Sequence, residues 1–155
     1  QDVRRQGLEI LEVLHGLRPP LLHRDVKPDN LVRDKDGRIW LIDFGTASDA
    51  PAGPRAGHER DWTTLQTLGF ASPEQALGLQ AYPASDMFAL AATVLFLVTG
   101  RNPLCFFDGL EGRYAIDAPL SEGFKQLLGE MLILPAAARL GDAAEARKRL
   151  ARVAV

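Results

Sequence analysis

The chain has 155 residues, 46% of them hydrophobic and 25% charged, with a formal net charge of −2 at pH 7. That is enough for one globular domain with a sizeable core, and the lack of a basic excess argues against a nucleic-acid-binding surface. One cysteine, Cys105, allows no internal disulfide and suits a reducing compartment.

Gln1–Gln6 carries charges with no apolar run directly after it, so no secretory signal is expected. The chain opens without a methionine, inside a helical pattern, and truncation upstream is the expectation. Val3, Gly7, Leu8, Ile10, Leu11 and Leu14 recur at helical spacing, which predicts an amphipathic helix to about Leu17. Pro19-Pro20 ends it. Leu31–Arg33 and Arg38–Ile42 are β-prone runs around Asp34–Gly37, a hairpin pattern. From Thr46 to Gln66 there is little periodicity, which reads as a long mobile loop of a length that signals function or disorder. Ser85–Thr99 is a strongly apolar helix closed by Gly100. Its longest apolar stretch, Met87–Val98, is twelve residues, short of the roughly 18 a membrane span needs. Residues 101–119 read as irregular. Two further amphipathic helices are predicted at Ser121–Leu134 and Asp142–Val153, with Ser121 and Asp142 as N-caps.

The chemistry concentrates in His23-Arg24-Asp25-Val26-Lys27-Pro28-Asp29-Asn30, followed thirteen positions later by Asp43-Phe44-Gly45. Asp25 is the candidate catalytic base for a hydroxyl proton, and Lys27 a cation that can reach a transferred phosphate. Asn30 and Asp43 offer hard oxygens suited to Mg²⁺, which binds few protein ligands beside phosphate and water. The hairpin joins Asn30 at its entry to Asp43 at its exit. His23 reads as a packed histidine near Phe44, and His15 and His58 read as surface residues without partners. Each motif alone is commonplace, but the ordered set is specific.

In these residues the chain resembles the eukaryotic-type Ser/Thr protein kinases of the kind also found in bacteria. The resemblance implies a mainly α fold, the large C-terminal kinase lobe with a short β-hairpin carrying the catalytic and metal-binding loops. ATP and Mg²⁺ are the implied cofactors, with Mn²⁺ as an alternative ion. The implied partners are Ser/Thr-containing proteins; charge and hydropathy lead to the further expectation of no nucleic acid and no membrane segment within residues 1–155. Lys27 follows the Ser/Thr-kinase habit, and Thr67 by resemblance hydrogen-bonds toward Asp25 and Lys27 in the segment that receives the substrate. Val32 takes the place of the apolar floor under the adenine. Ser72-Pro73-Glu74 stands where the family has Ala-Pro-Glu, which makes Glu74 a structural anchor with Arg139 as its partner, although Leu134 replaces the usual Asp before Pro135. Asp86 matches the aspartate that accepts hydrogen bonds from the His-Arg-Asp backbone, and a role as N-terminal cap is a second reading that can hold together with it. Arg24 can pair with a phosphate on the activation segment, about residues 43–74, with Thr63 and Thr64 as acceptors. The second cation of that pocket is replaced by Ser48.

A Gly-rich loop, a strand lysine and its partner glutamate, which the family carries in an N-terminal lobe, are absent from residues 1–155. The expectation is the C-lobe portion of a Ser/Thr kinase, inactive alone and located in the cytoplasm, with an anchor elsewhere in the parent left open. A non-catalytic kinase-like scaffold is the alternative, and a small-molecule phosphotransferase a third reading.

Overall fold

The structure of the protein, a computed structural model, describes residues 3–44, 48–49 and 69–153. Helix α1, Val3–Gly16, forms on the predicted stripe and buries Leu8 and Leu11. It lies against the central helix α3, Pro83–Thr99, so closely that a Cβ on Gly7 would meet Leu90 Cδ1 at 2.6 Å. Any larger residue there would force the Leu90 side chain to shift.

Helix α3 begins two residues before the predicted Ser85. Pro83 occupies the first turn, where its missing N–H costs nothing. Tyr82 N–H donates to Ser85 Oγ (2.9 Å) while Ser85 N–H donates to Tyr82 O (2.8 Å), so the helix start is closed without Asp86. Phe88, Leu90, Ala92 and Leu95 have almost no contact with water. Burying a large apolar side chain of this kind stabilises by about 2 kcal/mol, and α3 is therefore the axis on which the rest is hung.

Helices α4 (Glu122–Met131) and α5 (Ala143–Leu150) complete the core through Phe124, Leu127, Leu128, Met131, Ala146 and Leu150. Ser121 Oγ accepts from Phe124 N–H and Asp142 Oδ1 from Glu145 N–H, which makes both residues N-caps. Between them and α3, residues 101–119 are more ordered than their turn-forming composition predicts. A 3₁₀ turn at Pro103–Phe106 leads into a small antiparallel hairpin, β5 (Phe107–Asp108) with β6 (Arg113–Tyr114).

The predicted hairpin is β2 (Leu31–Arg33) with β3 (Ile39–Leu41), in register Leu31↔Leu41, Val32↔Trp40 and Arg33↔Ile39. Gly37 turns it at φ 82°, a conformation glycine adopts freely. Strand β1 (Leu21–Leu22) pairs with β4 (Ser48–Asp49), in register Leu21↔Asp49 and Leu22↔Ser48. The described chain is thus mostly helical with three small antiparallel sheets. Among the described residues, no helix is long and apolar enough to cross a membrane.

Candidate active site

The loop after β1 is fixed from below by one carboxylate. Asp86, only 1% exposed on α3, accepts His23 N–H at Oδ2 (2.9 Å) and Arg24 N–H at Oδ1 (2.8 Å). His15 Nε2 lies 3.0 Å from Oδ2. The cap reading for Asp86 therefore gives way: its oxygens serve the loop rather than its own helix. His15 is correspondingly not a surface residue. It continues the Leu8–Leu11 stripe at helical spacing, a signal legible in the sequence, and its side chain is mostly buried against Asp86.

His23 is fully buried. Its Nδ1 accepts Asp25 N–H (3.3 Å), which leaves Nε2 to donate to Ile42 O (3.0 Å). Its ring meets Phe44 edge-on, with centroids 4.7 Å apart. With both nitrogens committed, His23 is a hub joining the loop to the far end of the hairpin. Arg24 has φ 68°, a left-handed conformation that costs a side-chain-bearing residue about 1–2 kcal/mol. That strain is held by hydrogen bonds at both ends of the residue: the Asp86 contact to its N–H and a Gln75 Nε2–H···O=C contact of 2.9 Å to its carbonyl.

Beyond Arg24 the candidate reactive groups converge. Lys27 Nζ is 3.1 Å from Asp25 Oδ2, and Asn30 Nδ2 donates to the same oxygen (3.0 Å) and to Asp25 O (2.7 Å). A 3₁₀ turn at Pro28–Asn30 makes this local convergence possible, with proline in its first turn. Because the Asn30 amide nitrogen is spent on Asp25, its oxygen is the atom left for a cation. Ile42 N–H donates to Asn30 O (2.9 Å), which brings the exit of β3, and with it Asp43, beside Asn30. Asp43 is exposed and has φ 63°, a region that aspartate tolerates better than most residues.

Side chains alternate across the two-stranded hairpin. Leu41 packs toward the core, while Val32, Trp40 and Ile42 stand exposed on the opposite face. Trp40 Nε1 donates to Asp34 Oδ2 (3.0 Å).

Further down, Glu74 on the short helix α2 (Pro73–Ala76) meets Arg139. Arg139 Nη1 donates to Glu74 Oε1 (2.7 Å) and Ala84 O (2.9 Å), and Nη2 to Glu74 Oε2 (3.1 Å) and Leu134 O (2.7 Å). Nε donates to Ile133 O (2.7 Å), so all five N–H donors are used. The guanidinium also lies over Phe88, 5.0 Å from its centroid. Burial works to raise the Glu74 carboxyl pKa, but the Arg139 and Ser85 hydrogen bonds outweigh it and hold the group below its ordinary value. The substitution of Leu134 leaves this pairing intact, because that residue contributes only its backbone carbonyl.

Gln75 escaped the sequence reading, since a polar residue on a four-residue helix carries no periodic signal. Thr63, Thr64, Thr67, Gly45 and His58 lie outside the described residues.

Comparison with known proteins identifies the family of the chain. The family model "Protein kinase domain" matches residues 1–149. The chain is 38% identical over 133 residues to serine/threonine-protein kinase F of Synechocystis, covering 81% of this chain and 26% of that protein. It is 42% identical over 101 residues to serine/threonine-protein kinase PknF of Mycobacterium tuberculosis, covering 61% of this chain and 20% of that protein. To serine/threonine-protein kinase PknA of Nostoc it is 35% identical over 106 residues, covering 66% and 18%. The chain spans about a quarter or less of the length of these relatives. With a family match over nearly its full length and the Asp25–Asn30 turn set beside Asp43, the chain belongs to the protein kinase domain family.

Proposed function

We propose that residues 1–155 are the C-terminal lobe portion of a Ser/Thr protein kinase, and that the parent protein transfers the γ-phosphate of ATP to Ser/Thr hydroxyls of proteins. The observation that carries this reading is the convergence of Lys27 and Asn30 on Asp25 Oδ2, with Asp43 tied alongside through the Ile42–Asn30 hydrogen bond.

The donor set fits Mg²⁺. The Asn30 amide oxygen and the exposed Asp43 carboxylate are hard ligands, few enough to leave room for phosphate and water. Among the described residues no three His, Cys, Asp or Glu side chains cluster as an all-protein metal cage would require. Mn²⁺ accepts the same oxygens. A bound cation would supply positive charge against the phosphates.

The chain's own residues do the rest. Asp25 Oδ2 is occupied by Lys27 and Asn30, which leaves Oδ1 to orient and accept the substrate hydroxyl proton. Lys27, partly exposed, extends positive charge toward the transferred group. Val32 floors the adenine on the exposed hairpin face. On this reading Thr67 favours Ser/Thr substrates, a phosphate on Thr63 or Thr64 pairs with Arg24, and the N-terminal lobe supplies the remainder of the nucleotide cleft. A cytoplasmic location goes with this chemistry.

The test is transfer of labelled phosphate from Mg·ATP to Ser/Thr peptides, by the parent protein and by residues 1–155 alone. Transfer by the parent and none by 1–155 is expected. Robust, Asp25-dependent transfer by 1–155 overturns the need for a second lobe. An inert parent overturns the kinase reading in favour of a scaffold.

A further inference from the structure

Gln75 reaches 51 positions back along the chain, and its Nε2 donates to the carbonyl of Arg24 at 2.9 Å. A carbonyl only accepts, so the amide orientation is set by chemistry, with the nitrogen toward Arg24. The other end agrees: Ser72 Oγ, on a fully buried residue, donates to Gln75 Oε1 at 3.1 Å. The Arg24 carbonyl shares a rigid peptide plane with the N–H of Asp25. That plane follows a residue at φ 68°, whose own N–H is held by Asp86. The other edge of that plane is held only by the long 3.3 Å bond from Asp25 N–H to His23 Nδ1, so without the bond at the carbonyl the strained residue has a route to relax by rotating the plane that carries Asp25.

We propose that Gln75 is a positioning residue for Asp25: it clamps the Arg24–Asp25 peptide and links the segment ending at Ser72-Pro73 to the candidate base. As far as turnover is concerned, this rests on the kinase reading above. The loop bearing Asp25 is then tied to α3 through Asp86, to the exit of the hairpin through His23, and to α2 through Gln75. A shift of α2 is transmitted to the reacting carboxylate through a single amide.

The test uses the parent protein with Gln75→Leu and Gln75→Glu. Two readouts are taken: hydrogen exchange of peptides covering residues 23–30, and steady-state transfer to a Ser/Thr peptide. Gln75→Leu should speed exchange in that loop. It should also lower kcat by about tenfold or more, since small misplacements of a reacting group carry costs of this order, while KM for ATP and peptide stays within about twofold. Gln75→Glu sets a carboxylate against the Arg24 carbonyl. Protonation restores a donor there, so its kcat relative to wild type should climb as pH falls, whereas the Gln75→Leu deficit should not change with pH. Unchanged exchange in Gln75→Leu overturns the clamp. Faster exchange with wild-type kcat makes the contact structural only and overturns the positioning role. A wild type that transfers no phosphate is the failure of the kinase reading; exchange then decides alone, faster rates upholding the clamp and unchanged rates overturning it.

Discussion

Asp86 and Asp43 are the same residue type in opposite circumstances. Asp86 is buried, with both oxygens occupied by loop amides and His15. Asp43 is exposed at the exit of a hairpin whose outward face is apolar. The contrast extends to their neighbourhoods. Below, the Glu74–Arg139 pair and the Asp86 hub satisfy their charges within the protein, as buried ionic groups must. Above, Asp25 Oδ1 and the Asn30 amide oxygen lie outside the contacts that hold Asp25 Oδ2 and the Asn30 amide nitrogen, Asp43 is exposed, and Val32, Trp40 and Ile42 present apolar surface. Charge buried within the protein builds the frame, whereas charge that reaches solvent is where a ligand's chemistry can enter.

The largest effect should come from breaking the frame. Arg139→Ala strands the Glu74 carboxylate in a buried site and should cost about 3–5 kcal/mol in urea unfolding. A loss under about 1 kcal/mol would put Glu74 and Arg139 with the surface charges. The same pair gives an acid dependence of known sign. The folded-state pKa of Glu74 is depressed, so its contribution is present above the ordinary glutamate value and is lost as pH falls through the folded one. Replacing Glu74 by Gln should flatten the stability curve in that acidic window. A curve of unchanged slope would assign the acid dependence to other carboxylates.

Next in size is Asp86→Asn, which turns one acceptor into a donor facing buried N–H groups and should cost about 1–3 kcal/mol. Its signature is faster hydrogen exchange at His23 and Arg24, and protection equal to wild type would remove Asp86 from the hub. Smallest of all is Val32→Thr on the open face. It should leave the unfolding free energy within about 0.5 kcal/mol of wild type while weakening ATP binding by the parent protein. A large stability loss would move Val32 from the ligand face into the core.

Sequence legibility follows the same division. The stripe of α1, the Asp-Gly hairpin and the apolar run of α3 were readable because each repeats a local period. The Asp25–Asn30 constellation was readable because its members are near neighbours in the chain. What resisted was contact across long separations: His15 with Asp86 is 71 positions, Gln75 with Arg24 51, and Glu74 with Arg139 65. The last was anticipated through family resemblance, which carries three-dimensional information that spacing lacks. The hairpin at Phe107–Tyr114 was missed because its strands are two residues each, too short for an alternating pattern to register.

The central claim is that the carboxylates reaching solvent, Asp25 and Asp43, serve chemistry and the buried ones, Asp86 and Glu74, serve architecture. Asp25→Asn in the parent protein tests it most directly, with phosphate transfer and urea unfolding measured on the same preparation. Transfer should fall by about 10²-fold or more, the range for losing a positioned general base, while stability stays within about 1 kcal/mol of wild type. Wild-type turnover, or a loss of transfer that merely tracks unfolding, would contradict the account.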